Sequence, residues 1–442
     1  MTIHSQIRRP AFFVSDRTGI TSENVGDALL EQFDGIKFKR ATYPFIDTQE
    51  KAHALVHIIN KSAEESGIRP LIFSSISNNE VREIVKTAQG LHLSYFDAFL
   101  GELERELGID NIIKLASNEN PFGLPPSAKN AIQAQLDNLN LYPDSNGFYF
   151  KQAVAEKFGL QPEQITLGNG SNDLIELIAH TFASDQDEII YSQYGFIVYP
   201  LISQALNAKR VEIPAKNYGN DLTAFLKAIT PKTKLIYLAN PNNPTGTFSS
   251  AVEIADFLAQ VPPQVIVALD EAYVEFTEPS ERVDSFGLLA KYPNLIVCRT
   301  LSKAYGLAGL RIGYAVSSTE IAGLLNRVRQ PFNCNSLALA AATAAIQDDE
   351  FVAKVAENNR VGLQLLQHFF DEKGLRYVPS KGNFVMLDLQ QPAAPIYQAL
   401  LRKGVIVRPL AGYGLPNHLR ISIGLPEENQ RFLTALSEIL GL

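Results

Sequence analysis

Two short apolar runs end abruptly in polar residues, and this constrains the fold of the chain more than any other feature. Lys234-Leu-Ile-Tyr-Leu-Ala239 leads into Asn240-Pro-Asn-Asn-Pro-Thr-Gly246, and Val265-Ile-Val-Ala-Leu269 leads into Asp270-Glu-Ala-Tyr273. Apolar runs of this length, without polar alternation, read as strands buried on both faces, as in the parallel sheets of α/β proteins. Pro and Gly close the first strand in a tight turn that brings the amide of Asn242 or Asn243 to the carboxyl edge of the sheet. Asp270 reaches the same edge, with Tyr273 one helical turn or one loop beyond it. A lone strand-end Asp is about as often a helix cap or turn former. Several polar strand ends at one edge point instead to a ligand site.

A third segment gives that site its chemistry. In Thr300-Leu-Ser-Lys-Ala-Tyr-Gly-Leu-Ala-Gly-Leu-Arg-Ile-Gly313, Lys303 is flanked by the hydroxyls of Thr300 and Ser302 and followed by a glycine-punctuated turn and Arg311. A Ser-Lys pair alone is far more often a surface lysine before a helix. Together with the two strand ends, it supplies an amine to condense with a cofactor aldehyde, and hydroxyls and an arginine to hold a phosphate. That is the inventory of a pyridoxal 5′-phosphate (PLP) enzyme. Upstream, Gly168-Asn-Gly-Ser-Asn-Asp173 precedes the apolar run Leu174-Ile-Glu-Leu-Ile178. A glycine loop entering a helix N-terminus presents free N–H groups to an anion.

These segments and several others, in order, carry a resemblance. Glu102-Leu-Glu-Arg-Glu-Leu107, Lys114-Leu-Ala-Ser-Asn-Glu-Asn-Pro-Phe-Gly123, Tyr142-Pro143, and Arg408 with Arg420-Ile-Ser-Ile-Gly424 complete the set. Residues 101–442 resemble the fold-type I PLP aminotransferases and, within them, the histidinol-phosphate aminotransferases. The implied fold is α/β: a large domain with a mostly parallel sheet over 101–332, and a smaller C-terminal α/β domain over 333–442 carrying Arg408 and Arg420. The implied reaction is transamination of L-histidinol phosphate with 2-oxoglutarate, giving imidazole acetol phosphate and glutamate, in histidine biosynthesis.

The resemblance implies a role for each matching residue. Lys303 binds the cofactor and shuttles the proton, while Asp270 pairs with the pyridine nitrogen and keeps it protonated. Tyr273 and Asn243 donate to the ring 3′-oxygen, and Tyr194 stacks on the ring face, with Phe196 as the alternative. Ser171, Asn172, Thr300, Ser302 and Arg311 hold the phosphate, joined by Tyr142 from the neighbouring subunit of a homodimer. Arg408 and Arg420 meet the substrate phosphate and the carboxylate of glutamate or 2-oxoglutarate, a task suited to a planar guanidinium. Arg408 is expected to end a strand and Arg420 to open one. Asn118 and Glu119 border the substrate. Asn383 either contacts the substrate or satisfies backbone groups near the cleft.

Residues 1–100 form a different segment. They alternate strand Ala11–Ser15, helix Ser22–Gln32, strand Ile36–Ala41, helix Gln49–Ser66, strand Pro70–Ser74 and helix Asn78–Ala88, a pattern suggesting a small parallel sheet. Phe12-Phe-Val-Ser-Asp-Arg-Thr-Gly-Ile20, Pro44-Phe-Ile-Asp-Thr-Gln-Glu-Lys-Ala52 and Leu71-Ile-Phe-Ser-Ser75 resemble the N-terminal part of the kinase/pyrophosphorylases that regulate phosphoenolpyruvate synthase. The later glycine-Ser-Arg phosphate loop of that family has no counterpart here, nor does Gly-x-x-x-x-Gly-Lys-Ser/Thr occur. This segment stands where the aminotransferases carry an N-terminal arm, with Tyr95 as a possible stand-in, and the two patterns meet near 97–108. The chain thus reads as a fusion, natural or chimeric.

Composition narrows the alternatives. Charged residues make up 19% and hydrophobic ones 46%, which fits a globular chain. A formal net charge of −8 leaves no basic footprint for nucleic acid. No apolar run approaches a membrane span, the first residues lack the apolar stretch of a signal peptide, and two cysteines suit a reducing cytoplasm. No metal is expected. The remaining alternatives are another PLP aminotransferase or decarboxylase of aromatic or phosphate-bearing amines, and a regulatory protein of phosphoenolpyruvate metabolism acting through residues 1–100.

Overall fold

The computed structural model describes residues 9–15, 30, 38–76, 79–94 and 112–442. The chain forms two compact units, Met1–Ile112 with Arg402–Gly404, and Ile113–Leu401 with Val405–Leu442. The units divide at neither residue 100 nor residue 332. The second begins where it does because β5 (Ile113–Lys114) pairs in parallel with β15 (Val405–Ile406). The expected crossover at 97–108, Tyr95, Glu102–Leu107, and all of the helix Ser22–Gln32 except Leu30 lie outside the described residues.

The first unit holds β1 (Arg9–Ser15), β2 (Phe38–Tyr43), β3 (Leu71–Ser75) and β4 (Leu91–Ser94) in the order β2-β1-β3-β4, every pairing parallel. Side chains alternate along β1. Phe12 and Val14 join Leu55, Ile59, Val81 and Val85 on one face, while Ala11 and Phe13 join Leu30 and Phe73 on the other. The helix Gln49–Ser66 starts at Thr48, whose hydroxyl accepts from Lys51 N, and stops at Gly67 in the left-handed region. β4 had no strand signal in the sequence, because Leu91-His-Leu alternates over too few residues.

The second unit is built on β6 (Ile165–Gly168), β7 (Glu188–Ser192), β8 (Lys209–Ile213), β9 (Thr233–Ala239), β10 (Ile266–Asp270), β11 (Leu295–Thr300) and β12 (Gly313–Val316). They form one sheet in the order β6-β12-β11-β10-β9-β7-β8. β12 runs antiparallel to both neighbours and the other pairings are parallel. Both faces are covered, as the unbroken apolar runs required. Ile236 and Leu238 pack with Phe225 and Phe257 on one side, and Leu235 and Tyr237 with Ile175 and Tyr199 on the other. A second, antiparallel sheet orders β13 (Arg376–Val378), β14 (Phe384–Asp388), β17 (Leu415–Ser422) and β16 (Arg408–Leu410). The helices Ser336–Ala345 and Asp349–Glu372 lie between the two sheets in sequence.

Two strand expectations need correction. Arg420 lies inside β17 rather than opening a strand, because the strand begins at Leu415 and carries Pro416 and Asn417. Arg408 opens β16 rather than ending the preceding strand, because the ladder breaks at Val407.

One buried ion pair sits directly behind the edge that carries Asp270. Arg299 Nε donates to Glu271 Oε2 at 2.9 Å, and its guanidinium lies 4.6 Å from the Phe286 ring centroid and 5.7 Å from that of Phe158. Removing the arginine would leave a buried carboxylate without its partner. Arg299→Leu is expected to destabilise the chain by about 3–5 kcal/mol, measured as the loss in urea-unfolding free energy.

Candidate active site

The polar strand ends meet at the carboxyl edge of the large sheet. β9 ends in Ala239, beside Asp270 at the end of β10, which in turn pairs with Cys298 of β11. β11 ends in Thr300 and leads directly to Lys303. Within the turn after β9, the bonds Asn240-Pro241 and Asn243-Pro244 are cis. Asn240 fixes this turn by exchanging two hydrogen bonds with the backbone of Ser249. Asn242 Nδ2 donates to the carbonyl of Tyr194 at 2.9 Å, and Asn243 Oδ1 accepts from Arg420 at 2.5 Å. The two amides left open by the sequence thus serve different partners.

Lys303 Nζ donates to the Ser117 carbonyl at 3.2 Å and lies 5.7 Å from the centroid of the Tyr273 ring. Part of the lysine reaches the cleft, but packing around its stem strips hydration. Burial, reinforced by the charge of Arg420, pushes its pKa down to about 8. Asp270 is buried; its Oδ2 accepts from Tyr199 at 2.8 Å and its Oδ1 from Ala272 N at 3.2 Å. Burial raises its pKa, and the Tyr199 hydrogen bond only partly offsets this. A cation beside this carboxylate would supply the missing stabilisation, so Asp270 fits a protonated ring nitrogen.

Tyr199 was not identified from the sequence. Its ring stacks on Tyr237 with centroids 4.7 Å apart and planes within 3°, so it reads in sequence as an ordinary core aromatic. Tyr194 is partly exposed beside Tyr218, at 6.0 Å between centroids, whereas Phe196 packs edge-on against Tyr199. Tyr273 is buried, and its pKa is pushed up to about 12 by burial, so it is a phenol at neutral pH.

The glycine loop opens a helix, as its pattern predicts. Gly170 (φ 83°) precedes the helix Ser171–Phe182, whose cap makes no side-chain hydrogen bond. A Cβ on Gly170 would come within 2.5 Å of an Arg311 terminal nitrogen, and Arg311 itself takes the left-handed conformation with φ 56°. Only glycine lets the loop and the guanidinium approach this closely. Thr300 and Ser302 are buried next to Lys303, with Thr300 Oγ1 accepting from Ser302 N. The Asn172 side-chain amide donates one hydrogen to Glu176 at 2.9 Å, and its backbone N–H lies at the open N-terminus of the helix. Tyr142 is 83% exposed and stacked on Phe332.

The arginines converge on one carbonyl. Arg420 donates to Ala116 O at 2.8 Å and Arg408 Nε to the same oxygen at 3.3 Å, and the two residues are cross-strand partners. Arg420 is buried and its Nε has no partner. A buried guanidinium with an unused donor fits an anionic ligand. Asn118 turns its amide to Tyr273, Glu119 pairs with Lys114 at 2.7 Å, and Asn383 Nδ2 donates to the carbonyls of Asn118 and Glu119. Asn383 thus supports the backbone of the cleft loop. Among the described residues no cluster of His, Cys, Asp and Glu could hold a metal, and no helix is long and apolar enough to cross a membrane.

A mostly parallel seven-stranded sheet with a lysine, an aspartate and a glycine-loop cradle at its carboxyl edge defines a fold-type I PLP-dependent aminotransferase. The model of the family "Aminotransferase class I and II" matches residues 110–436, and a kinase/pyrophosphorylase family model matches residues 11–120. Histidinol-phosphate aminotransferase 2 of Pasteurella multocida is 80% identical over 77% of this chain and 93% of its own length. Histidinol-phosphate aminotransferase 1 of Mannheimia succiniciproducens is 73% identical over the same shares. Among solved structures, the histidinol-phosphate aminotransferase from Sinorhizobium meliloti in complex with pyridoxal-5′-phosphate is 30% identical with a TM-score of 0.72. That match covers 77% of this chain and 94% of that one. The chain belongs to the histidinol-phosphate aminotransferase family, and its N-terminal quarter carries the second family's pattern as a fusion.

The environment of Lys303 sets its reactivity before any ligand binds. At pH 7 about a tenth of an amine with pKa 8 is neutral, against less than a thousandth for a solvated lysine. In cofactor-free protein, the rate of Lys303 modification by an amine-selective reagent, followed by peptide mass spectrometry, is expected to level off above about pH 8. Surface lysines should keep rising to beyond pH 10.

Proposed function

We propose that this chain transfers an amino group between L-histidinol phosphate and 2-oxoglutarate, yielding imidazole acetol phosphate and glutamate, with PLP as cofactor. The observation that carries this reading is the convergence of Lys303, Asp270, Tyr273 and Arg420 on one cleft, in a chain 80% identical to a histidinol-phosphate aminotransferase. When bound, PLP supplies an electron sink for the carbanion at the substrate Cα.

The protein's own groups do the rest. Lys303 would hold the cofactor and, once free, would carry the proton away from Cα of the amine donor in one half-reaction and deliver a proton to Cα of the new amino acid in the other, a task suited to an amine with pKa near operating pH. Asp270, kept in place by Tyr199, sustains the positive charge of the ring nitrogen. Tyr273 and Asn243 bind the ring 3′-oxygen, and Tyr194 covers the ring. The N–H groups of Ser171 and Asn172, with Thr300, Ser302 and Arg311, hold the cofactor phosphate. Arg420 and Arg408 receive the substrate's phosphate or the carboxylate of its exchange partner, and Asn118 and Glu119 shape the cleft wall.

Tyr142 completes the phosphate site of a second copy in a homodimer. Its exposure, shared with Leu141, Phe148 and Tyr149, leaves an apolar surface that such a copy would cover. We place this activity in the cytoplasm.

Mixing the purified chain with PLP and then L-histidinol phosphate tests the reading through the near-visible absorbance. The cofactor band is expected to appear and then convert to the amine form of the cofactor. A band indifferent to this substrate would overturn the substrate assignment. Lys303→Ala is expected to lose the lysine-linked band and turnover, by a factor of about 1,000 or more. Arg420→Lys should raise KM at least about tenfold while PLP still binds, because a point charge replaces a bidentate fork.

A further inference from the structure

Ser422 ends β17 opposite Phe384 of β14 and is buried. Its hydroxyl makes two hydrogen bonds, both to Asn118. It accepts from Asn118 N at 2.8 Å and donates to Asn118 Oδ1 at 2.8 Å. Asn118 is itself buried and left-handed, with φ 55°. Asparagine tolerates that conformation better than most residues, but a local clamp is still needed to hold it. Asn383 supplies a second hold by donating to the Asn118 carbonyl at 3.0 Å.

The clamp fixes which end of the Asn118 amide faces where. With Oδ1 taken by the Ser422 hydroxyl, Nδ2 is turned to the Tyr273 hydroxyl at 3.0 Å. In the opposite orientation, the serine oxygen would receive two N–H donors and its own hydrogen would lose the acceptor it now has. The orientation present gives the Ser422 hydroxyl hydrogen, the Asn118 backbone N–H and one hydrogen of its amide an acceptor each. Tyr273 oxygen therefore accepts from Asn118, and its own hydrogen must go to a different acceptor. Its ring is buried and packs edge-on against Phe384 at 5.2 Å, on the strand paired with that of Ser422, which limits how far the phenol can move.

We propose that Ser422 is a positioning residue that acts through Asn118 to fix the Tyr273 hydroxyl as a hydrogen-bond donor to the 3′-oxygen of the cofactor. The proposal rests on the assignment of Tyr273 to that oxygen. A donor there stabilises the deprotonated oxygen, so a poorly aimed donor moves the pH midpoint of the bound cofactor's visible absorbance upward.

The test is a pH titration of that absorbance in the PLP-bound enzyme, alongside the thermal midpoint of unfolding. Ser422→Ala is expected to raise the absorbance midpoint by about half to one pH unit, and Ser422→Thr, which keeps the hydroxyl, to leave it at the wild-type value. Tyr273→Phe should raise the midpoint as well, and Ser422→Ala added to it should shift nothing further, because the serine then has no hydroxyl to aim. If the small void of Ser422→Ala prevents folding, Ser422→Cys fills it with a poorer hydrogen-bonding group and is expected to raise the midpoint in the same direction.

An unmoved midpoint in a folded Ser422→Ala or Ser422→Cys, or shifts that add in the double variant, would overturn the inference. Either would reduce Ser422 to a loop anchor, visible only in the thermal midpoint. A wild-type enzyme without a pH-dependent cofactor band would overturn the assignment of Tyr273 first, and this inference with it.

Discussion

The guanidinium of Arg420 ties together three stretches of chain that are far apart in sequence. It donates to the carbonyl of Ala116 in the cleft loop and to Asn243 in the turn after β9, from its own place inside β17. Its two terminal nitrogens spend hydrogens on the protein around them. By doing so it locks the cleft loop and the antiparallel sheet to the edge of the large sheet. The groups that surround Lys303 depend on this lock: Ser117, which accepts from Lys303, is the next residue after Ala116, and Asn118 follows. The site is thus held by side-chain hydrogen bonds between elements rather than by any single loop.

The same arrangement explains how strand ends become a catalytic edge. β9, β10 and β11 are covered by apolar side chains on both faces, so their only route to solvent is along the strand axis. Polar residues are confined to the positions where each strand stops, and parallel strands stop together. Asp270 and Thr300 accordingly sit at one edge without any long-range signal in the sequence to bring them there. Behind that edge, Glu271 and Arg299 are neutralised by each other. The charge facing the cleft is set by the residues in front.

Legibility from sequence follows from this division. Residues at the ends of continuous apolar runs, or inside glycine-punctuated loops, were readable: Asp270, Asn243, Lys303, Ser171 and Arg311 stand where local pattern put them. Groups whose role depends on a partner far along the chain were not. Tyr199 looks like core, and only the fold reveals its hydrogen bond to Asp270. Ser422 is one small residue at the end of a strand, and nothing in its own neighbourhood points to Asn118. Asn172 is an intermediate case, since its pairing with Glu176 is a four-residue helical spacing visible in the sequence and easily overlooked beside a phosphate-loop pattern. In the first unit, the helix Gln49–Ser66 was legible to the residue because Thr48 and Gly67 mark both ends, whereas β4 had too little alternation to announce itself.

The electrostatics of the cleft point to the kind of substrate it receives. Burial lowers the pKa of Arg420, and Arg408 lowers it further. Arg420 and Arg311 in turn add to the burial that depresses Lys303. Burial puts a standing cost on the charges of Arg420 and Lys303, which an anion entering beside them relieves. The nearby carboxylates do not fill that role: Asp270 is held by Tyr199 behind the ring site, and Glu119 is paired with Lys114. Two groups of donors stand apart from these carboxylates, Arg311 with the helix starting at Ser171, and Arg408 with Arg420. Lys303 lies under the electrostatic influence of both. A cofactor with one phosphate and a substrate with a second anionic group match that pairing, and a simple neutral amine would leave the arginine pair unrelieved.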